Sequence, residues 1–164
     1  MGIEARFGIG AIQQLMDAIP DIYSEEVIRA FSYLGEQCVR RIRDRTAQES
    51  WIDQTGNLRS SIGYAVYERG KAVIESAFNT VKNGAQGSND GRKAIATLAS
   101  KYAQTYALVV VAGMSYAEYV EAKESKDVLA STELWARTKI AEYLDKAKDR
   151  AYKRIRKLQK DLGL

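Results

Sequence analysis

Few side chains in this chain are equipped for chemistry. It has no histidine and one cysteine, Cys38. Ser-His-Asp and Cys-His nucleophilic catalysis, histidine-held metals and thiolate zinc sites are therefore excluded. Among the carboxylates, Glu118, Glu121 and Glu124 fall three apart, a spacing that on a helix could present acids to a cation or to an acid–base reaction. Lys123 and Lys126 sit among them and no third ligand type stands nearby, so the group reads as a solvated, ion-paired helix face. Asp53-Gln54-Thr55-Gly56 is a distant echo of the aspartic protease signature, broken by Gln54 and present in one copy where a dyad needs two. Neither a Gly-x-x-x-x-Gly-Lys nor a Gly-x-Gly-x-x-Gly phosphate loop occurs. The chain is expected to be no enzyme and to hold no cofactor or metal.

The remaining chemistry is charge. With 25 Lys and Arg against 21 Asp and Glu, the net charge of +4 is mild, but its distribution is uneven. Lys146 to Lys160 holds eight basic residues and one acid, Asp149. Lys153, Arg154, Arg156 and Lys157, with Tyr152 between them, could neutralise phosphates in a salt-dependent contact with DNA, or could touch a protein partner. The other reading is the outer face of an amphipathic helix, because an apolar stripe continues through the same segment. Cys38 reads as a small buried hydrophobe and Trp51 and Trp135 as core or interface anchors.

A chain of 164 residues, 46% hydrophobic and with one proline, has the size and make-up of one folded domain, 1–164. No signal peptide is visible, and the longest apolar run, 107–114, is too short to cross a membrane. Synthesis in the cytoplasm and no membrane partner are expected. Val27, Phe31, Leu34, Cys38 and Ile42 recur at helical spacing, giving a long helix over roughly 22–48 that starts at Ser24, Glu25 and Glu26. A weaker helical piece in the N-terminal segment 1–21 should end near Pro20. From Gly63 the period is two: Tyr64 and Val66 share one face and Ala65 and Tyr67 the other. Gly70 then turns into a second strand whose Ile74, Ser76 and Phe78 share a face. The turn formers in 79–91 predict a flexible loop, and Ala94, Leu98 and Tyr102 a short helix. Tyr106 to Ala112, rich in β-branched residues, predicts a strand covered on both sides. Ser131 and Thr132 offer caps for a C-terminal helix carrying Leu134, Ala141, Leu144, Ala151, Ile155, Leu158 and Leu162, whose basic end is 146–164. The fold expected is α+β, with long N- and C-terminal helices on a small, mainly antiparallel sheet of three or four strands.

Between the first long helix and the first strand lies Thr55-Gly56-Asn57-Leu58-Arg59-Ser60-Ser61-Ile62, and much later comes Tyr116-Ala117-Glu118-Tyr119-Val120-Glu121. Two such motifs in that order, around a hairpin and before a closing helix, resemble the tail-completion, or head–tail joining, family of tailed-bacteriophage morphogenesis proteins. The resemblance covers about 25–160. It departs from the family where Ala122-Lys123-Glu124 prolongs a helix in place of a proline-containing stretch, and where 79–104 looks like an insertion. What it implies is a structural virion protein, made in the bacterial host, that joins head to tail or completes the tail as a ring of its own copies, though it is monomeric in isolation in some cases. Portal or adaptor and tail proteins would be its neighbours. The residues implied are Thr55, Gly56, Asn57, Leu58, Arg59, Ser61, Ile62, Tyr116, Ala117, Tyr119, Val120 and Glu121. The alternative is a DNA-binding module that uses the basic C-terminal helix.

Overall fold

The computed structural model describes residues 8–123 and 127–164; Glu124 and Lys126 lie outside these. In chain order the elements are α1 (Ile9–Arg43), α2 (Asn57–Ser60), β1 (Ile62–Glu68), β2 (Lys71–Glu75), α3 (Ala85–Leu98) with a 3-10 turn at Ala99–Tyr102, β3 (Tyr106–Ala112), α4 (Ala117–Lys123) and α5 (Ala130–Asp161). The fold is α+β as expected, with an antiparallel sheet of three strands in the order β2-β1-β3.

The central strand is β1, buried along nearly its whole length. Tyr64 and Val66 meet α1 through Phe31, while Ala65 and Tyr67 meet Phe78, Ile95 and Val111 on the other side. Alternation assigned these faces correctly. Arg69 and Gly70, both at positive φ (47° and 82°), form the two-residue link that suits a hairpin's twist. Ile74 and Phe78 do not share a face. The register slips between Val66 and Tyr67 and β2 ends at Glu75, after which Phe78, at φ 48°, turns under the sheet to the α3 side.

Two further expectations are corrected here. β3 is an edge strand, half-buried over most of its length, and the strand covered on both faces is β1. The loop expected over 79–91 is only partly a loop, because α3 begins at Ala85. Gly87, Ser88 and Gly91 are small because this helix lies against its neighbours: a Cβ at Gly87 would run into the Asn57 carbonyl, and one at Gly91 into the Phe78 ring. α3 and the turn after it are the layer that covers the second face of the sheet.

The helices differ more. α1 runs from Ile9 straight through Pro20 and stops at Arg43, so Ser24 and Glu25 lie inside it. A proline inside a helix removes one hydrogen bond and crowds the preceding turn. Here the exposed Pro20 is carried because Leu15, Ile22, Glu26, Ala30, Leu34, Cys38 and Ile42 stay in phase across it and are buried. α5, at 32 residues about 48 Å long, is covered by α1 itself, which it meets antiparallel. Arg150 reaches Glu26, Tyr143 stacks near Tyr33 at 5.6 Å, and Trp135 lies under Arg41. The buried face of α5 is Thr132, Ala147 and Ala151, with Leu144 against the Phe31–Tyr64 cluster. Leu134 is 67% exposed and Ala141 is exposed, so neither belongs to the stripe. Because α1 is one continuous helix, Pro20→Ala should restore a hydrogen bond and raise stability by about 1–3 kcal/mol. Thermal unfolding checks this: a melting point unchanged by the substitution would mean that the helix stops at Pro20.

Candidate functional site

The two motifs meet. Leu58 and Ile62 from the first and Ala117 from the second are buried in one cluster with Ile42, Trp51, Met114 and Val128, and Val120 packs against it. Most residues of the first motif have a physical task. Gly56 has φ 84°, and a Cβ there would strike the Val81 carbonyl, so only glycine fits. The Asp53 carboxylate accepts the Gly56 N–H at 3.1 Å and faces the Arg59 Nε at 3.4 Å. Arg59 also lies 5.3 Å over the Trp51 ring and donates to the Arg45 carbonyl. The Asn57 Oδ1 accepts from the Gly87 N–H at 3.2 Å, which caps α3 from a distance. The Ser60 Oγ accepts from the Val81 N–H at 2.8 Å, and the Ser61 Oγ donates to the Leu58 carbonyl. Thr55 is exposed and its Oγ1 accepts from the Asn57 N–H at 3.3 Å.

In the second motif, the Glu121 carboxylate is engaged with the backbone rather than left to solvent. Its Oε1 accepts the N–H groups of Leu129 and Ala130 at 3.1 and 2.6 Å, which caps the start of α5 and places negative charge at its positive end. Asp127 takes the Ser131 N–H at 3.1 Å. Ser131 and Thr132, expected as caps, lie inside the helix, and their hydroxyls accept from Arg45 at 2.8 and 2.6 Å. Arg45 also donates to the Asp127 and Val128 carbonyls and pairs with the Asp127 carboxylate at 3.0 Å. Burial would raise the Asp127 pKa, but hydrogen bonds from Ser131 and Arg45 hold it below the ordinary 3.8. Glu118 is exposed, and no group of three metal-ligating side chains exists among the described residues.

The surface of this corner is apolar in part. Ile52 is 73% exposed, and Tyr116 and Tyr119 are partly so. Burial and the nearby Asp53 charge raise the Tyr116 pKa.

The basic end of α5 is less free than its sequence suggests. Arg154 donates to Glu25 at 2.6 Å and to Glu26 at 3.0 Å, and Arg150 to Glu26 at 2.6 Å. Arg156 stacks on Tyr152 at 5.3 Å, and Lys153 and Lys157 are exposed. Arg154 thus belongs to the α1–α5 pair. Glu26, 2% exposed, is the residue that sequence reasoning missed. The signal was present: an acid four residues after Ile22 and four before Ala30, on the apolar stripe. Arg45 and Asp127 gave no such signal, because they meet across 82 positions.

The chain matches no protein-family model, no curated protein and no solved structure. No helix among the described residues is long and apolar enough to cross a membrane.

Two expectations follow. Burial alone would raise the Glu26 pKa, but Arg150, Arg154 and Arg29 hold it below the ordinary 4.5. Its stabilising effect is therefore complete above pH 4.5 and lost as the pH falls through the lower folded value. Glu26→Gln should lower stability at neutral pH by about 2 kcal/mol, held down by the exposure of the arginines, and should flatten the acid limb of a stability–pH curve. A variant with the wild-type limb would remove Glu26 from that role. Arg45→Lys keeps the charge but loses the fork, so it should destabilise by about 1–3 kcal/mol in denaturant unfolding.

Proposed function

We propose that this chain is a structural virion protein of a tailed bacteriophage or prophage, of the tail-completion or head–tail joining kind. It assembles with its own copies into a ring between portal or adaptor proteins and tail proteins, and it catalyses no reaction. The observation that carries this reading is the corner where the two motifs, some sixty residues apart in sequence, pack into one cluster through Leu58, Ile62, Ala117 and Val120. Asn57, Arg59, Ser61 and Glu121 each bind a backbone group there, which supports reading the corner as a rigid module for docking. The exposed Ile52 and Tyr116 beside that corner give it an apolar surface to dock with.

The binding of Arg154 to Glu25 and Glu26 weighs against the DNA-binding alternative, since an arginine already held by two carboxylates has little to offer a phosphate.

In the genome that encodes the chain, portal, capsid and tail-tube genes should lie beside its own. Particles made without it should accumulate as separate heads and tails. Ile52→Asp combined with Tyr116→Ala should leave the fold's melting point within about 2 °C while reducing joining at least tenfold. Lys153, Arg156 and Lys157 changed together to Gln should leave joining intact. Strong DNA binding that falls steeply with salt and is abolished by that triple change, together with normal joining by the Ile52/Tyr116 variant, would overturn the structural reading.

A further inference from the structure

The two edges of the sheet are built differently. β2 has five residues, its register with β1 is irregular, and Lys71 and Glu75 are exposed on it. Shortness, irregularity and charge are the usual protections of a strand edge against further pairing. β3 has none of them. Its seven residues pair with β1 in unbroken register, include no charge and no proline, and all but Val111 are only half-buried. The ladder is bracketed by the Arg69 N–H on the Thr105 carbonyl and the Gly113 N–H on the Ser61 carbonyl, each 3.1 Å. By antiparallel alternation 107, 109 and 111 bond to β1, and the backbone groups of Leu108, Val110 and Ala112 face outward. Among the described residues these outward groups have no hydrogen-bond partner. A row of backbone donors and acceptors at strand spacing is matched by another extended strand.

Which strand fits follows from the register. A two-fold axis normal to the sheet at Val109 lays a second β3 antiparallel to the first, with Leu108 of each copy opposite Val110 of the other. Both face outward, so each such pair exchanges N–H and C=O bonds. The edge is therefore complementary to itself. The side chains agree: Val109 meets Val109, Leu108 meets Val110, Ala107 meets Val111, and the Tyr106 ring falls opposite the small Ala112. Apolar and β-branched neighbours of this kind favour pairing, and no like charges face each other. A β2 edge laid on β3 would instead set Lys71 and Glu75 against apolar residues.

The neighbouring flank of α5 is also self-complementary. Glu133, Arg137 and Ile140 border the space of about 740 Å³ beside Leu108, Val109 and Val110. Glu133 and Arg137 are paired with each other at 2.7 Å, so this flank carries no net charge. The axis reverses α5 as it reverses β3, which brings the acid of one copy toward the base of the other. Ile140, 39% exposed, adds apolar surface on the same flank.

We propose that two copies of this chain join edge to edge through β3, antiparallel about Val109, into one continuous sheet of order β2-β1-β3-β3-β1-β2. The contact consumes both open edges and leaves the protected β2 strands outermost, so assembly through it stops at two copies. This goes beyond the proposed function and does not rest on it, since a closed pair is not a ring.

The test uses the full-length chain. In sedimentation velocity at tens of micromolar the wild type should run as two copies. Val110→Pro removes an outward N–H and no bond to β1. It should weaken association at least tenfold while the variant stays folded. Should it fail to fold, Val109→Cys carries the test. At the axis the two 109 Cα atoms form a non-hydrogen-bonded pair about 4.5 Å apart, within disulfide range. Under mild oxidation Val109→Cys should link two chains covalently. The wild type, whose Cys38 is buried, and Ala72→Cys on the exposed β2 edge should remain single chains. A monomeric wild type, a complex larger than two copies, a folded Val110→Pro that associates normally, failure of Val109→Cys to link, or equal linking by Ala72→Cys overturns the inference. The outcome is separable from the proposed function. If the linked pair forms but heads and tails join without this chain, the functional reading falls alone. If the chain is monomeric and joining still requires it, the pairing inference falls alone.

Discussion

The contact of α1 with β1, where the Tyr64 ring lies against the backbone of Gly35, sets the position of the other elements. A Cβ at Gly35 would overlap that ring, so the helix and strand approach as closely as they do only because the side chain is absent. The Tyr64 hydroxyl is then held by Ser32 and Glu36 at 3.0 and 3.1 Å, which orients the strand on the helix. With α1 fixed over one face of β1, the other face must be covered from elsewhere, and α3 does so, approaching Asn57 closely at Gly87 and Phe78 and the Ser61 carbonyl at Gly91. β1 is consequently buried between two helical layers, although the sheet has only three strands.

α1 also serves as the bed for α5, and that pairing is fixed along its length by polar contacts rather than by apolar burial alone. Toward one end, buried Glu26 takes Arg150 and Arg154. At the other, Arg45 takes the Asp127 carboxylate, two carbonyls and two hydroxyls. Hydrophobic stripes tolerate sliding by a turn, but charge-assisted hydrogen bonds of this kind do not, because a shift leaves a buried charge without partners. Together they set the register of two helices of 35 and 32 residues.

The same construction leaves some surfaces unsatisfied. A space lies between α1, α5 and the edge strand β3, and the motif corner keeps Ile52 and Tyr116 outside. Cys38 borders that space, but burial pushes its thiol up to about 11, so it acts there as an apolar side chain rather than a nucleophile.

By itself the sequence determined the α+β class, the two long helices, the hairpin and the two faces of β1, because periods of 3.6 and 2 report which side chains share a side of one element. It also drew attention to the first motif, since a short string of Gly, Asn and Ser before a strand is a local signal. Only the tertiary structure decided that Pro20 lies inside a helix, that Gly87 and Gly91 belong to a packed helix rather than a loop, and that the most apolar strand is at the edge. Each of these depends on a partner distant in sequence: α5 supports α1 across Pro20, Asn57 and Phe78 receive α3, and β1 takes the centre because two helices cover it. The roles of Glu26, Arg45 and Glu121 were decided in the same way. The charge on a side chain is written in the sequence, but whether it is solvated, paired or set on a helix end depends on what folding places beside it.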